Sequence, residues 1–268
     1  MKILFIHPVF APNETLFIKN LNSIKSFLAY IGQEGKDAQM KMVWGGYCAK
    51  PEYWEEIRRV IENIGAVDDF ERNYGKAHVV NELYKKYADV DTEYILTCDS
   101  DILFDTNEPD MFTRLDNIFK GYKDKSKAGQ LGAVSLNQRV AQCHWVDKMN
   151  CREMSGNDIL LWSSNRSGIA GGCLFIRREA WDRVGGYKVM GVYSGDDGVL
   201  LRDIQRAGYH FAVTETLSII HPHNDRKEKE YQNWKYEQIK KCQKNGLKKS
   251  DDLETDVKEA DEFWKTQK

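Results

Sequence analysis

Apolar residues in this chain fall into short unbroken runs separated by longer stretches with helical spacing. Residues 3–6 form one such run, of the kind that makes a strand buried on both faces, and His7-Pro8 is expected to end it. Leu16, Ile18, Leu21, Ile24, Phe27, Leu28 and Ile31 then recur at three- and four-residue steps, which predicts an amphipathic helix that stops at Gly32. Residues 40–44 read as a second strand, closed by Gly45-Gly46. Residues 51–64 read as a helix with Pro51 at its start, acids early and Arg58-Arg59 late, as the helix dipole prefers. A further helix over 75–87 feeds a strand over 94–98. Strand, helix, strand, helix, helix, strand is the pattern of an α/β protein with a mostly parallel sheet.

Beyond residue 104 the pattern predicts a helix within 105–128 followed by a polar loop, then a strand over 131–136. Residues 137–166, with Cys143, His144, Trp145 and Trp162, are irregular and read as loops. A strand over 169–176, a short helix over 178–184 ended by Gly185-Gly186, a helix over 198–208 and strands over 209–213 and 217–220 complete the folded part. Residues 1–225 are thus expected to form one domain, divided near residue 104, with 226–268 as a helical, charged extension. Between 226 and 249 that extension carries Lys or Arg at 226, 227, 229, 235, 240, 241, 244, 248 and 249 against Glu at 228, 230 and 237, interleaved with Tyr231, Trp234 and Tyr236. Two readings follow: a solvated helix packed through its aromatic residues, or a surface for a polyanion such as nucleic acid.

At 268 residues the chain suits one large domain or one domain with an appendage. Its 41 acidic and 39 basic side chains nearly cancel, so net charge advertises no nucleic-acid partner. Six scattered cysteines without a Cys-x-x-Cys pair argue against a zinc ribbon. The Met1-Lys2 opening without a signal segment, and the lack of an apolar run near the roughly 20 residues of a membrane span, lead us to expect a cytoplasmic protein with free thiols.

The chemistry concentrates at Asp99-Ser100-Asp101, directly after the run 94–98. Side chains two apart on an extended segment point the same way, so Asp99 and Asp101 can face one point beyond a sheet edge. Two adjacent carboxylates repel, and a divalent cation carrying a diphosphate would hold them together. A polar turn that ends a strand accounts for the same residues. Three further clusters accompany the pair. Arg72-Asn73-Tyr74-Gly75-Lys76 opens a helix with a basic side chain, which suits a phosphate or a base. Gly171-Gly172 begins a strand where small residues admit either a ligand or a crowded neighbour. Asp196-Asp197 opens another helix, where one carboxylate can cap it and the other can act as a base. His221-Pro222-His223 follows the last strand and offers an imidazole to a metal.

In this order the motifs resemble those of the inverting family 2 glycosyltransferases, which have the GT-A fold, over about residues 1–223. The resemblance implies a Rossmann-like mixed, mostly parallel sheet flanked by helices. It also implies transfer of one sugar from a nucleoside diphosphate, UDP foremost, to a hydroxyl, with Mn²⁺ or Mg²⁺ as cofactor. Asp101 would bind the metal, with Asp99 contacting sugar, ribose or metal and Ser100 between them. His221, or His223 in its place, would complete the metal site. Asp197, or its neighbour Asp196, would be the base. Pro8, Phe10, Asn73, Lys76, Gly171 and Gly172 would line the nucleotide-sugar site. The family's usual base-holding carboxylate after the second strand is replaced here by Trp44-Gly45-Gly46-Tyr47. For the acceptor, a glycan or glycoconjugate competes with a hydroxymethylated DNA base, which the basic aromatic tail would suit. A sugar-nucleotide nucleotidyltransferase would need a Gly-rich basic loop after the first strand, and residues 7–12 supply none. A non-catalytic nucleotide-sugar-binding protein is the remaining alternative.

Overall fold

The computed structural model describes residues 1–33, 39–108, 110–122, 130–139, 149, 151–155, 157–162, 171–193, 196–222, 229–244 and 252–266. Its elements in chain order are β1 (Lys2–Val9), α1 (Glu14–Gln33), β2 (Gln39–Tyr47), α2 (Pro51–Ile61), β3 (Ala66–Phe70), α3 (Lys76–Tyr87), β4 (Tyr94–Cys98) and α4 (Met111–Gly121). There follow β5 (Leu131–Arg139), β6 (Cys151–Ser155), β7 (Asp158–Trp162), β8 (Cys173–Arg177), α5 (Arg178–Val184), α6 (Asp196–Arg206), β9 (His210–Ile220), α7 (Lys229–Lys244) and α8 (Leu253–Thr266).

All nine strands form one sheet in the order β3-β2-β1-β4-β8-β5-β9-β7-β6. The β1–β2, β2–β3, β1–β4 and β5–β9 pairs are parallel, while β8 runs antiparallel to both β4 and β5. The carboxyl ends of β1, β4, β5 and β9 therefore meet the amino end of β8 along a single edge. Alternation along β1 explains the layering: Ile3, Phe5 and Val9 face α1, α2 and α4, whereas Leu4, Ile6 and Phe10 face α3, α5 and α6. The first layer holds Phe17, Ile24, Phe27, Ile57, Met111 and Phe112, and the second Val79, Val80, Leu83, Trp181, Leu200 and Ile204. Asn13 starts α1 by accepting the Leu16 N–H at 3.0 Å.

Several boundaries differ from the sequence expectation. Strand β1 continues through Pro8 to Val9, because a parallel neighbour on each side spreads the ladder demand unevenly and Pro8 lies beyond its β4 partners. The helix expected within 105–128 is confined to Met111–Gly121. The segment read as loops contains the β6–β7 hairpin, which joins the sheet through β7 and β9. Asp158 anchors that hairpin: buried at the start of β7, it pairs with Arg114 of α4 and accepts the Thr216 hydroxyl at 2.7 Å. The two last strands are one, β9. Strand β3, which the apolar pattern did not mark, pairs with β2. Among the described residues no helix is long and apolar enough to cross a membrane.

The extension forms α7 and α8, which pack over the sheet edge through Trp234, Val257 and Ala260 against Val192, Tyr74 and Tyr193. Of the two readings of the tail, packing through its aromatic residues is what the described residues do. Trp234 stacks on Phe263 at 5.2 Å between ring centroids, and Trp264 meets Phe10 at 5.2 Å.

Candidate active site

At the edge where the strands end, backbone pairing sets the site's spacing. Asp99 follows β4, and its N–H donates to Gly172 O at 2.7 Å, so the turn that carries both aspartates is moored to β8. Leu103 and Ile220 exchange two backbone hydrogen bonds at 2.8 and 2.9 Å, which draws the residues after Asp101 against the end of β9. His221, the next residue, donates its N–H to Arg139 O at 3.1 Å. This stapling brings His221 Nε2 within 3.3 Å of Asp101 Oδ1. On the ring's other side Nδ1 lies 3.0 Å from Gln138 Oε1, an acceptor, so Nδ1 carries a proton. Burial opposes protonation of His221, but the Asp101 carboxylate outweighs it and the pKa is raised.

Lys76 occupies the opposite side. Gly75 precedes it with φ of 80°, and a Cβ there would lie 2.6 Å from Val192 O, so glycine is required both by conformation and by space. From the first position of α3 the Lys76 ammonium donates to Asp99 Oδ1 at 2.6 Å and to Asp197 Oδ1 at 3.2 Å. Burial alone would lower its pKa; the Asp197 and Asp99 carboxylates reverse this and hold it well above the ordinary lysine value. Asp197 lies in the first turn of α6, where the dipole favours a carboxylate. Its Oδ1 also accepts the Tyr187 hydroxyl at 3.0 Å. Burial pushes its carboxyl pKa up; Lys76 pulls against that and Asp99 adds to it, with a net rise.

The structure thus brings Lys76, Asp99, Asp101, Asp197 and His221 to one edge, with Ser100 half-buried in the turn between the aspartates. Asp196 is half-buried at the start of α6, and the neighbour that Lys76 and Tyr187 contact is Asp197. The glycines answer the crowding question. A Cβ on Gly171 would collide with the Asp197 side chain, and one on Gly172 would lie 2.7 Å from Gln138 Nε2, so both make room for protein groups of the site. Asn73 is buried and accepts the Gly75 N–H at 3.2 Å, which shapes the start of α3. Pro8 pairs with Gly45 inside the sheet. Phe10 is buried beneath Tyr47, Tyr231 and Trp264, with centroids 5.4, 6.4 and 5.2 Å away. Gly45 and Gly46, where the base-holding carboxylate was missed, are packed by Leu83, Val79 and Trp54. His223 lies outside the described residues, as do Cys143, His144 and Trp145.

Asp101 and His221 are the pair suited to a divalent cation: an oxygen and a nitrogen donor already in contact, with Gln138 holding the far ring nitrogen as a ligating histidine requires. This donor set of one carboxylate and one imidazole fits Mn²⁺ better than Mg²⁺, which prefers an all-oxygen shell. Among the described residues no group of three such side chains converges, since Asp99 is turned to Lys76. Tyr187 belongs to the Gly185-Gly186-Tyr187 motif of the family resemblance, which gives its hydroxyl no role of its own, and Gln138, at a strand end, carries no signal in the sequence. His7, two positions before the end of β1, was read only as a strand terminator; it is wholly buried within charge range of Asp101 and Asp99.

No family model matches the sequence, and no curated protein matches it. Solved structures do match by fold. A mannosyltransferase from Pyrobaculum calidifontis, in complex with GDP-Man and Mn²⁺, superposes with a TM-score of 0.56 at 20% identity, over 84% of this chain and 57% of that one. TarS of S. aureus gives 0.58 at 12% identity, over 84% of this chain and 37% of that one. GalNAc-T7 with UDP, GalNAc and Mn²⁺ gives 0.53 at 11% identity, over 82% of this chain and 43% of that one. The chain therefore spans less than two thirds of the length of these neighbours. At such identities the likeness is one of fold, and the fold of this chain is that of the GT-A glycosyltransferases.

Proposed function

We propose that this protein is a metal-dependent glycosyltransferase that moves a single sugar from a nucleoside diphosphate, UDP foremost, to an acceptor hydroxyl on a glycan or glycoconjugate, with inversion. The observation that carries the reading is the meeting of Asp99, Asp101, Asp197, His221 and Lys76 at one sheet edge of a GT-A fold. Neighbours of that fold were solved with GDP-Man or UDP and with Mn²⁺, which supports a nucleotide-sugar donor and a divalent metal here.

Asp197 supplies the base. Its raised pKa makes it a stronger proton acceptor than an exposed carboxylate, while Lys76 keeps it ionised. The Tyr187 hydroxyl and the crowded Gly171 fix its orientation. As the acceptor oxygen attacks the anomeric carbon, its proton passes to Asp197, and the bond from that carbon to the diphosphate oxygen breaks with the electron pair leaving on the diphosphate. A single base and in-line attack invert the configuration. A Mn²⁺ or Mg²⁺ held by Asp101 and His221 would supply Lewis-acid neutralisation of the leaving diphosphate. Lys76, released from Asp99 when anionic donor competes for it, adds a second positive charge.

Calorimetric titration with UDP, GDP and a panel of their sugars, in Mn²⁺ and then in EDTA, tests the proposal. Metal-dependent binding with preference for one sugar is expected. Absence of nucleotide binding in both conditions would refute it.

A further inference from the structure

Lys235 of α7 is a half-buried ammonium in an unusual setting. It lies 4.7 Å from the ring centre of Tyr193 and 5.9 Å from that of Tyr231, and no described carboxylate forms an ion pair with it. Three acids of the same two helices are engaged elsewhere: Glu237 with Lys240, Glu259 with Lys241 and Glu254 with Arg72. Holding a cation against two aromatic faces without an anion costs solvation that ring contacts only partly offset.

Its surroundings indicate what would complete it. Tyr193 follows Val192, whose carbonyl abuts Gly75, so the Lys235–Tyr193 contact borders the residue that places Lys76. Tyr231 stands edge-on to Tyr193, with centroids 6.0 Å apart at 90°, and is within charge range of Asp101. Lys235 thus approaches the site from the C-terminal helices through Tyr193, beside the Val192–Gly75 contact, while Lys76 meets the carboxylates from α3.

We propose that Lys235 is a diphosphate-binding residue, contributed by the C-terminal helix pair to the donor site, with Tyr193 and Tyr231 as the walls that aim it. The inference rests on the nucleotide-sugar reading given above. A diphosphate is favoured over an uncharged sugar or base because the group it must meet is an anion beside a metal seat. The helix pair is then a working part of the site, and donor binding and the packing of α7 are coupled.

The test compares wild type with Lys235→Met, which keeps the stem over the rings, and with Lys235→Arg, which keeps the charge. UDP and UMP are titrated into each in Mn²⁺, with GDP and GMP if the wild type prefers guanine. Loss of one charge-assisted contact should weaken UDP binding to Lys235→Met about tenfold, with UMP affected far less, Lys235→Arg close to wild type and melting temperatures unchanged. Equal weakening of UDP and UMP, or an unchanged affinity for UDP, would overturn the assignment while leaving the donor-site reading intact. A wild type that binds neither nucleoside diphosphate would overturn both.

Discussion

An ammonium group set between two half-buried carboxylates does what neither carboxylate can do alone: it lets both remain charged a few ångströms apart. Lys76 has that position between Asp99 and Asp197. Replacing it with methionine keeps the stem and removes the charge, so only the Tyr187 hydrogen bond still opposes burial and Asp99, and the Asp197 pKa rises further. Transfer at pH 7 should fall by about 100-fold, the usual worth of a positioned base or charge stabiliser, with the loss easing as pH rises; a pH-independent loss would mean that Lys76 acts on the donor alone. Asp197→Asn should abolish transfer and leave UDP affinity nearly unchanged, which calorimetry checks directly. His7 gives a different dependence. Burial depresses its pKa from 6.5 to about 4, Asp101 and Asp99 opposing only in part. Since the folded value lies below the unfolded one, the stabilising contribution is complete above pH 6.5 and is lost as pH falls towards 4. Wild type should lose about 2 kcal/mol more stability between pH 7.5 and 5 than His7→Leu in urea unfolding; parallel pH curves for the two proteins would show that His7 is not buried neutral.

Secondary-structure elements meet at this site through small residues and staples, and their effects differ from those of the charged groups they hold. Gly171→Ala places a methyl where Asp197 sits, and displacing a reacting group by about 1 Å costs on the order of 100-fold in rate. Far-UV circular dichroism should stay unchanged, because the collision is with the Asp197 side chain alone. Asp158→Ala leaves Arg114 without its buried partner and removes one tie between the β6–β7 hairpin and α4, the bond from the Ser155 hydroxyl to Ile118 O remaining, so unfolding free energy should drop by about 3 kcal/mol with little effect on nucleotide binding. Much of this was legible in the sequence. Buried strands such as β1 and β4 announce themselves as continuous apolar runs, and each site motif sits at an element end where polar residues interrupt a pattern. Strand β3 was not legible, since Ala66-Val67-Asp68-Asp69-Phe70 is an edge strand whose acids face Trp54, Arg58 and Lys86. The β6–β7 hairpin was hidden for a related reason: β6 alternates half-buried and exposed residues, with Met154 largely exposed, so it shows no apolar run. Pairing between distant strands also escapes periodicity. Nothing in the spacing of Leu103 and Ile220 shows that they form a bridge, yet that bridge sets Asp101 against His221.

Across the molecule the charges nearly cancel, and the question of the acceptor turns on whether the C-terminal helices leave a basic surface open. Among the described lysines there, Lys240 pairs with Glu237 and Lys241 with Glu259 across to α8, while Lys235 lies against tyrosine rings beside the site. Helix α8 adds acids in its first turn. A surface that binds duplex DNA must instead present several cations free to replace the counterions on phosphates, and its affinity then falls steeply with salt. We therefore expect fluorescence anisotropy with a labelled duplex at 50 mM salt to show at most weak binding, and steady-state transfer to a glycan acceptor to change little between 50 and 200 mM salt. Sub-micromolar DNA binding that drops by about 10³-fold over that range would instead favour the hydroxymethylated base as acceptor. The same titration bears on Lys235: a lysine committed to a diphosphate inside the site adds nothing to a DNA salt slope, so Lys235→Met should leave that slope unchanged even where it weakens the donor.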